Sequence, residues 1–181
     1  MKRDLLDLAS LSADEFHGLL TLAARLKAEL KIGVEHPHLR GKTLAMVFQK
    51  PSLRTRITFE TGMAQLGGHA IYLAPGDVGL GERESAKDVA RNLSRVVNLI
   101  MIRTFAHQTA VEMAHESSVP VINGLSDLLH PCQLLADLLT MQERYGKDMR
   151  KLRIAFLGEE AAAFDSFRRH LQVTCCHIFS L

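Results

Sequence analysis

From Thr43 onward the chain alternates between short, largely apolar runs and longer stretches in which apolar residues recur every three or four positions. The short runs are Thr43 to Phe48, Ala70 to Leu73, Leu99 to Arg103, Val119 to Ile122 and Leu152 to Leu157. Each is too short for a helix and is bounded by glycine, proline or polar residues, so each predicts a buried strand. The longer stretches predict helices over about 54–66, 86–97, 108–116 and 132–145. Upstream, Ser12-Ala-Asp-Glu15 has the form of a capping box, and Phe16, Leu19, Leu20, Leu22, Ala23 and Leu26 draw an apolar stripe behind it. An amphipathic opening helix devoted to packing is expected there. Ile32 to Gly41, with Gly33, Pro37 and two histidines, reads as a connector. Strand and helix thus alternate four times. That order predicts an α/β fold: a parallel sheet with right-handed crossovers, flanked by helices on both faces. Such sheets bind ligands beyond the carboxyl ends of their strands.

That rule directs attention to Phe48-Gln-Lys-Pro-Ser-Leu-Arg-Thr-Arg56, where the first strand gives way to a helix. The turn from Ser52 to Arg56 is a helix N-terminus, where backbone N–H groups and the positive dipole end favour an anion. Arg54 and Arg56 add fixed charge and forked donors suited to phosphate or carboxylate. Taken alone, the turn fits equally a serine cap with solvated arginines. Two other strand ends strengthen the anion reading. Arg103 closes the strand that begins at Leu99, and His130-Pro-Cys-Gln133 opens the helix after the strand at Val119. Pro131 suits a first helical position and leaves His130 and Gln133 at the helix mouth. Ser52, Arg54, Thr55, Arg103, His130 and Gln133 are therefore expected at one edge of the sheet. Singly, His130 would serve as a cap and Arg103 would pair with a local acid; the combination is what points to a site. The other histidines have no comparable context, and His69 after Gly67-Gly68 suits a helix terminus. Pro75 to Ser85, rich in glycine, reads as a mobile loop over the site or as a solvated loop, with Ser85 capping the next helix and Arg83 within reach of an anion.

Composition narrows the class. Apolar residues make up 47% and charged residues 23% of 181 positions, enough for a real core in one domain or in one domain and the beginning of another. The net charge of +2 is dispersed, which gives no basis for a nucleic-acid or membrane partner. The amino terminus lacks an apolar signal core and no run approaches bilayer length, so a cytoplasmic location is expected. Three cysteines, Cys132 and the adjacent Cys175-Cys176, make neither a disulfide framework nor a zinc spacing, and reduced thiols are expected. No glycine-rich nucleotide loop of either common form occurs.

The turn at 48–56 followed by Phe59-Glu60 and Leu66-Gly-Gly68, then Arg103, then His130-Pro-Cys-Gln-Leu-Leu-Ala-Asp137, resembles the amino-terminal, carbamoyl-phosphate-binding half of the ornithine carbamoyltransferases, over about residues 1 to 158. The resemblance implies that Ser52, Arg54, Thr55 and the Leu53 amide hold the phosphate. It implies that Arg103 and His130, with Thr55, act catalytically on the carbamoyl oxygen and that Gln133 holds the carbamoyl NH₂. It also implies ornithine as acceptor, a homotrimer, and no metal or organic cofactor. Leu53 stands where the family usually has threonine, and Gly79 where many members have glutamine or histidine. After Gly158 the sequence departs from the family. The expected division is a carbamoyl-phosphate-binding domain at 1–147 and a truncated, atypical start of the ornithine-binding domain at 148–181. A non-catalytic carbamoyl-phosphate-binding remnant, or a carbamoyltransferase with another amine acceptor, are the alternatives.

Overall fold

The computed structural model describes residues 2–146, 148, 152–156 and 177–180. Its centre is a four-stranded sheet of β1 (Thr43–Phe48), β2 (His69–Leu73), β3 (Leu99–Arg103) and β4 (Val121–Leu125), in the order β2-β1-β3-β4 with every pair parallel. The inner strands are apolar on both faces because both faces are covered. In β1, Ala45 and Val47 point into one layer, while Leu44, Met46 and Phe48 point into the other. The first layer is closed by α4 (Ala86–Leu93) and α5 (His107–Glu116), whose Val89, Ala90, Ala110 and Met113 meet Ile100, Ile102 and Val121. On the opposite face α2 (Leu53–Gln65) sets Met63 against Leu44, Met46, Phe48 and Met101. Helix α6 (Pro131–Tyr145) packs along β4, and α1 (Ala13–Lys31) packs on α6 through Phe16, Leu20, Leu134 and Leu138. The α1 cap is the box read from the sequence: Ser12 Oγ accepts from Glu15 N at 3.3 Å, and Glu15 Oε2 accepts from Ser12 N at 2.9 Å.

The structure departs from the sequence-based elements in several places, one being the helix expected over 86–97, which ends at Leu93. The fourth strand is displaced towards the carboxyl end, from the expected 119–122 to Val121–Leu125, because Asn123 and Leu125 pair with Ile102 and Arg103 across a bulge. Leu5 joins the edge of that strand: its N–H reaches Val121 O and its carbonyl accepts from Asn123 N, both at 2.9 Å. The glycine-rich segment contains a single helical turn, α3 (Pro75–Val78), ended by Gly79 at φ 61°, a conformation that glycine adopts without steric cost. The fifth predicted strand, in the segment 148–181 set apart in the sequence reading, lies outside the main sheet. Strand β5 (Arg153–Phe156) pairs in parallel with β6 (His177–Ser180) as a sheet of its own. Cys175, Cys176 and most of the segment after Phe156 lie outside the described residues. Among the described residues no helix is long and apolar enough to cross a membrane.

Candidate functional site

The end of β1 and the start of α2 are separated by four residues, and Pro51 among them keeps the helix from beginning early. Ser52 caps α2 in an extended conformation. Its Oγ accepts from Thr55 N at 3.4 Å, and its hydroxyl donates to Thr55 Oγ1 at 3.1 Å. The Leu53 and Arg54 N–H groups precede any intrahelical acceptor, so this first turn presents donors to whatever lies in front of it. Thr55 is buried, whereas the Leu53 side chain is exposed, which leaves Leu53 its backbone amide as the useful group.

Arg103 enters from the neighbouring strand. It is the register partner of Phe48, so the parallel pairing of β1 and β3 delivers it beside the turn. Its Nη1 donates to Thr55 Oγ1 at 3.3 Å, and its buried Nε has no partner among the described residues. Burial, and then the nearby Arg54 charge, lower its hold on the proton, although a guanidinium stays charged at neutral pH.

His130 caps α6, its Nδ1 accepting from Gln133 N at 3.4 Å. An accepting Nδ1 places the proton of the neutral ring on Nε2. Burial first, and the Arg103 charge second, push this imidazole down to about 4, so it is neutral near pH 7. Gln133 donates from Nε2 to Asp137 Oδ1 at 2.9 Å, one turn further along the same helix face.

Ser52, Leu53, Arg54, Thr55, Arg103, His130 and Gln133 all line one open cleft of about 1040 Å³. The sequence-predicted residues are therefore brought together. Two guanidiniums face this space, and neither Arg54 nor Arg103 has an ion pair with an acid among the described residues. The carboxylate lining it, Asp137, is engaged by Gln133. Gathering like charges without a counter-ion is unfavourable, so the arrangement suits an anionic ligand.

Three expectations are corrected. Arg56 does not enter the cleft; its Nε donates to Glu60 Oε1 at 3.0 Å and its guanidinium lies 4.0 Å from the centre of the Tyr72 ring. Residues two apart on a helix point to nearly opposite sides, and Arg54 and Arg56 are such a pair. Arg83 bonds within its own segment, from Nη2 to Asp77 O at 2.7 Å, rather than reaching the cleft. The glycine-rich segment is tied down by buried Leu80 and by the Gln49 amide instead of standing over the site as a loose loop. Sequence reasoning also passed over Phe59, Cys132 and Asp137, which line the cleft. The spacing of Gln133, Ala136 and Asp137 on α6 carried that signal. The Cys132 thiol, pushed up to about 11 by burial and aimed at Asn123 O at 3.7 Å, is not a nucleophile at neutral pH. Among the described residues no group of three His, Cys, Asp or Glu side chains could hold a metal.

The His130 environment has a consequence for stability. Its folded value of about 4 lies below the ordinary 6.5, so the unfolded chain binds this proton more readily. The stabilisation is complete above pH 6.5 and is lost as pH falls through the window to about 4. His130→Asn keeps a capping acceptor and is expected to flatten the dependence of Tm on pH across that window. Thermal melts of the two proteins at several pH values check this; parallel curves would show that another group titrates.

Comparison with known proteins bears on the family and the fold. A family model described as the aspartate/ornithine carbamoyltransferase, carbamoyl-P binding domain matches residues 3–143. The chain is 50% identical over 159 residues to an ornithine carbamoyltransferase of Methanocorpusculum labreanum, covering 88% of this chain and 52% of that protein. It is 53% identical over 158 residues to one of Cenarchaeum symbiosum, covering 87% and 51%. Among solved structures, the ornithine carbamoyltransferase from Pyrococcus furiosus superposes with a TM-score of 0.94 at 42% identity, over 98% of this chain and 57% of that one. The Thermus thermophilus ornithine carbamoyltransferase gives 0.92 at 42% identity, over 99% and 61%. The chain spans about half the length of the curated relatives it matches.

Proposed function

The chain belongs to the aspartate/ornithine carbamoyltransferase family through its carbamoyl-phosphate-binding domain, and from that premise we propose that the cleft holds carbamoyl phosphate and that the protein transfers its carbamoyl group to the δ-amine of ornithine, giving citrulline and phosphate. The observation that carries the proposal is the meeting of Arg54 and Arg103 at the α2 N-terminus, neither of them ion-paired with an acid among the described residues. Ser52, the Leu53 amide, Arg54 and Thr55 hold the phosphate. Arg103, His130 and Thr55 donate to the carbamoyl oxygen, and the Gln133 carbonyl accepts from the carbamoyl NH₂.

In the transfer, the amine nitrogen forms a bond to the carbamoyl carbon. The bond from that carbon to the bridging oxygen breaks, and its electron pair leaves with phosphate, which carries away the proton lost by the amine. Negative charge grows on the carbamoyl oxygen as the carbon becomes tetrahedral. Donors already aimed at that oxygen stabilise the transition state more than the ground state. Neutral His130 serves as an Nε2–H donor there, and the fixed strand and helix ends supply the orientation. The leaving phosphate is already neutralised by arginine, so no metal or organic cofactor is assigned.

A division into a carbamoyl-phosphate-binding domain at 1–147 and the start of an ornithine-binding domain at 148–181, a homotrimeric assembly, a cytoplasmic location and a place in arginine metabolism belong to the same proposal. A second reading is a carbamoyl-phosphate-binding module without turnover, since the family model that matches residues 3–143 describes a binding domain. Calorimetry with carbamoyl phosphate and measurement of citrulline formed on addition of ornithine separate the two. Saturable one-site binding with citrulline production supports the transferase, binding without citrulline supports the module, and absence of binding refutes both.

A further inference from the structure

We infer that Gln49 is a positioning residue for the proposed reaction, seating Arg103 in the cleft and fixing the turn at 79–84 on the end of the sheet through the two ends of one side-chain amide. The inference rests on the reading of the cleft as a carbamoyl-phosphate site. Gln49 directly follows β1 and does not line the cleft. Its backbone N–H donates to Arg103 O at 2.8 Å. Its side-chain Oε1 accepts from the Thr104 hydroxyl and, at 3.1 Å, from Phe105 N. The carbonyl of Arg103 and the two residues that follow it are thus all held by this one residue. From the other end of the amide, Nε2 donates to Leu80 O at 3.0 Å.

The orientation of the amide is fixed by its partners. Exchanging oxygen and nitrogen would set an NH₂ group against the Phe105 N–H and a carbonyl against the Leu80 carbonyl. Thr104 is fully buried and Leu80 nearly so, which makes both ends costly to leave unmatched. The turn itself is tight, with Gly79 and Gly81 at positive φ and Gly81 N bonded to Glu84 O at 2.8 Å. Its bonds from Arg83 to Asp77 O and from Gly81 to Glu84 stay inside the segment. Beside the packing of the buried Leu80 side chain, the bond from Gln49 joins it to the strand end beside Arg103.

The two roles can be separated because glutamate differs from glutamine at one end only. Gln49→Glu keeps an acceptor for Thr104 and Phe105 but turns a carboxylate oxygen towards the Leu80 carbonyl. Gln49→Leu removes both ends. Calorimetry with carbamoyl phosphate and amide hydrogen exchange over residues 78–86 are measured on the parent, Gln49→Leu, Gln49→Glu and Arg103→Ala. Gln49→Leu is expected to bind about tenfold more weakly and to exchange faster over 78–86. Gln49→Glu is expected to keep affinity within about threefold, by the same arithmetic, while exchanging faster over 78–86. Should Gln49→Leu fold poorly, Thr104→Val removes the first bond from its other partner and is expected to weaken binding with the turn's exchange unchanged. Parental affinity in Gln49→Leu or in Thr104→Val, whatever the change in Tm, overturns the inference, as does parental exchange in Gln49→Glu. If Arg103→Ala also binds like the parent, the cleft reading falls too; if Arg103→Ala is weakened and Gln49→Leu is not, only the role of Gln49 falls.

Discussion

Arg103→Ala is expected to weaken carbamoyl phosphate binding about a hundredfold while leaving the fold intact. A hydrogen bond to a charged group contributes about 1.5–3 kcal/mol, and a hundredfold corresponds to about 2.7 kcal/mol. Arg103 stands at the upper part of that range because it is half-buried and its Nε lacks a partner among the described residues, so its donors are already aimed and partly stripped of water. The alanine variant loses no ion pair, since Arg103 forms none with an acid among the described residues. It also relieves repulsion with Arg54, so Tm is expected to stay level or rise. The control is Arg56→Ala. That side chain is spent on Glu60 and Tyr72, and its removal is expected to leave affinity within about twofold. Calorimetry on the three proteins checks both values, and comparable losses from Arg56 and Arg103 would disprove the assignment.

Phe48→Ala is expected to produce the largest loss of stability. Phe48 ends β1 with 1% of its surface exposed, edge-on to Tyr72 with ring centres 5.0 Å apart, and packs with Met46, Met63 and Met101. Truncating a buried phenylalanine costs about 3–5 kcal/mol through lost transfer energy and the cavity left behind. For a chain of this length each kcal/mol shifts Tm by about 2–4 °C, so a fall of roughly 6–20 °C is expected by calorimetry or circular dichroism. Phe48→Leu fills most of the space and is expected to lose less than half as much. Because Phe48 is also the register partner of Arg103 and lies just before the Ser52 turn, the alanine variant should lose ligand affinity beyond what its stability alone explains. A loss below about 1 kcal/mol would show that this end of the sheet is not tightly packed.

The main sheet was legible because its inner strands are buried on both sides. A strand such as Leu-Ile-Met-Ile from Leu99 must be apolar throughout, and such a run is short enough not to be confused with a helix. The cleft was legible for a related reason. Parallel strands all point their carboxyl ends one way, so polar residues at three strand ends share an edge without any knowledge of the distances between them.

What escaped depended on pairing between distant segments. Asn123-Gly124 has the chemistry of a turn, yet pairing with β3 holds it in a strand. The bridge from Leu5 to Ile122 spans nearly the whole domain and leaves no local mark. Strands β5 and β6 form a separate sheet for which the apolar run at Leu152 gave a strand but no partner. Arg56 is different, since helical geometry alone sets it away from Arg54, and that signal was present in the sequence.

The central claim is that the Ser52 turn, Arg103 and His130 act on one bound anion. Titration of isotope-labelled protein with carbamoyl phosphate, followed by NMR, tests it most directly. Resonances of the Leu53 to Thr55 amides, the Arg103 Nε–H and the His130 ring should move together and saturate with a single Kd. Movement confined to one of the three segments, or separate Kd values for them, would contradict it.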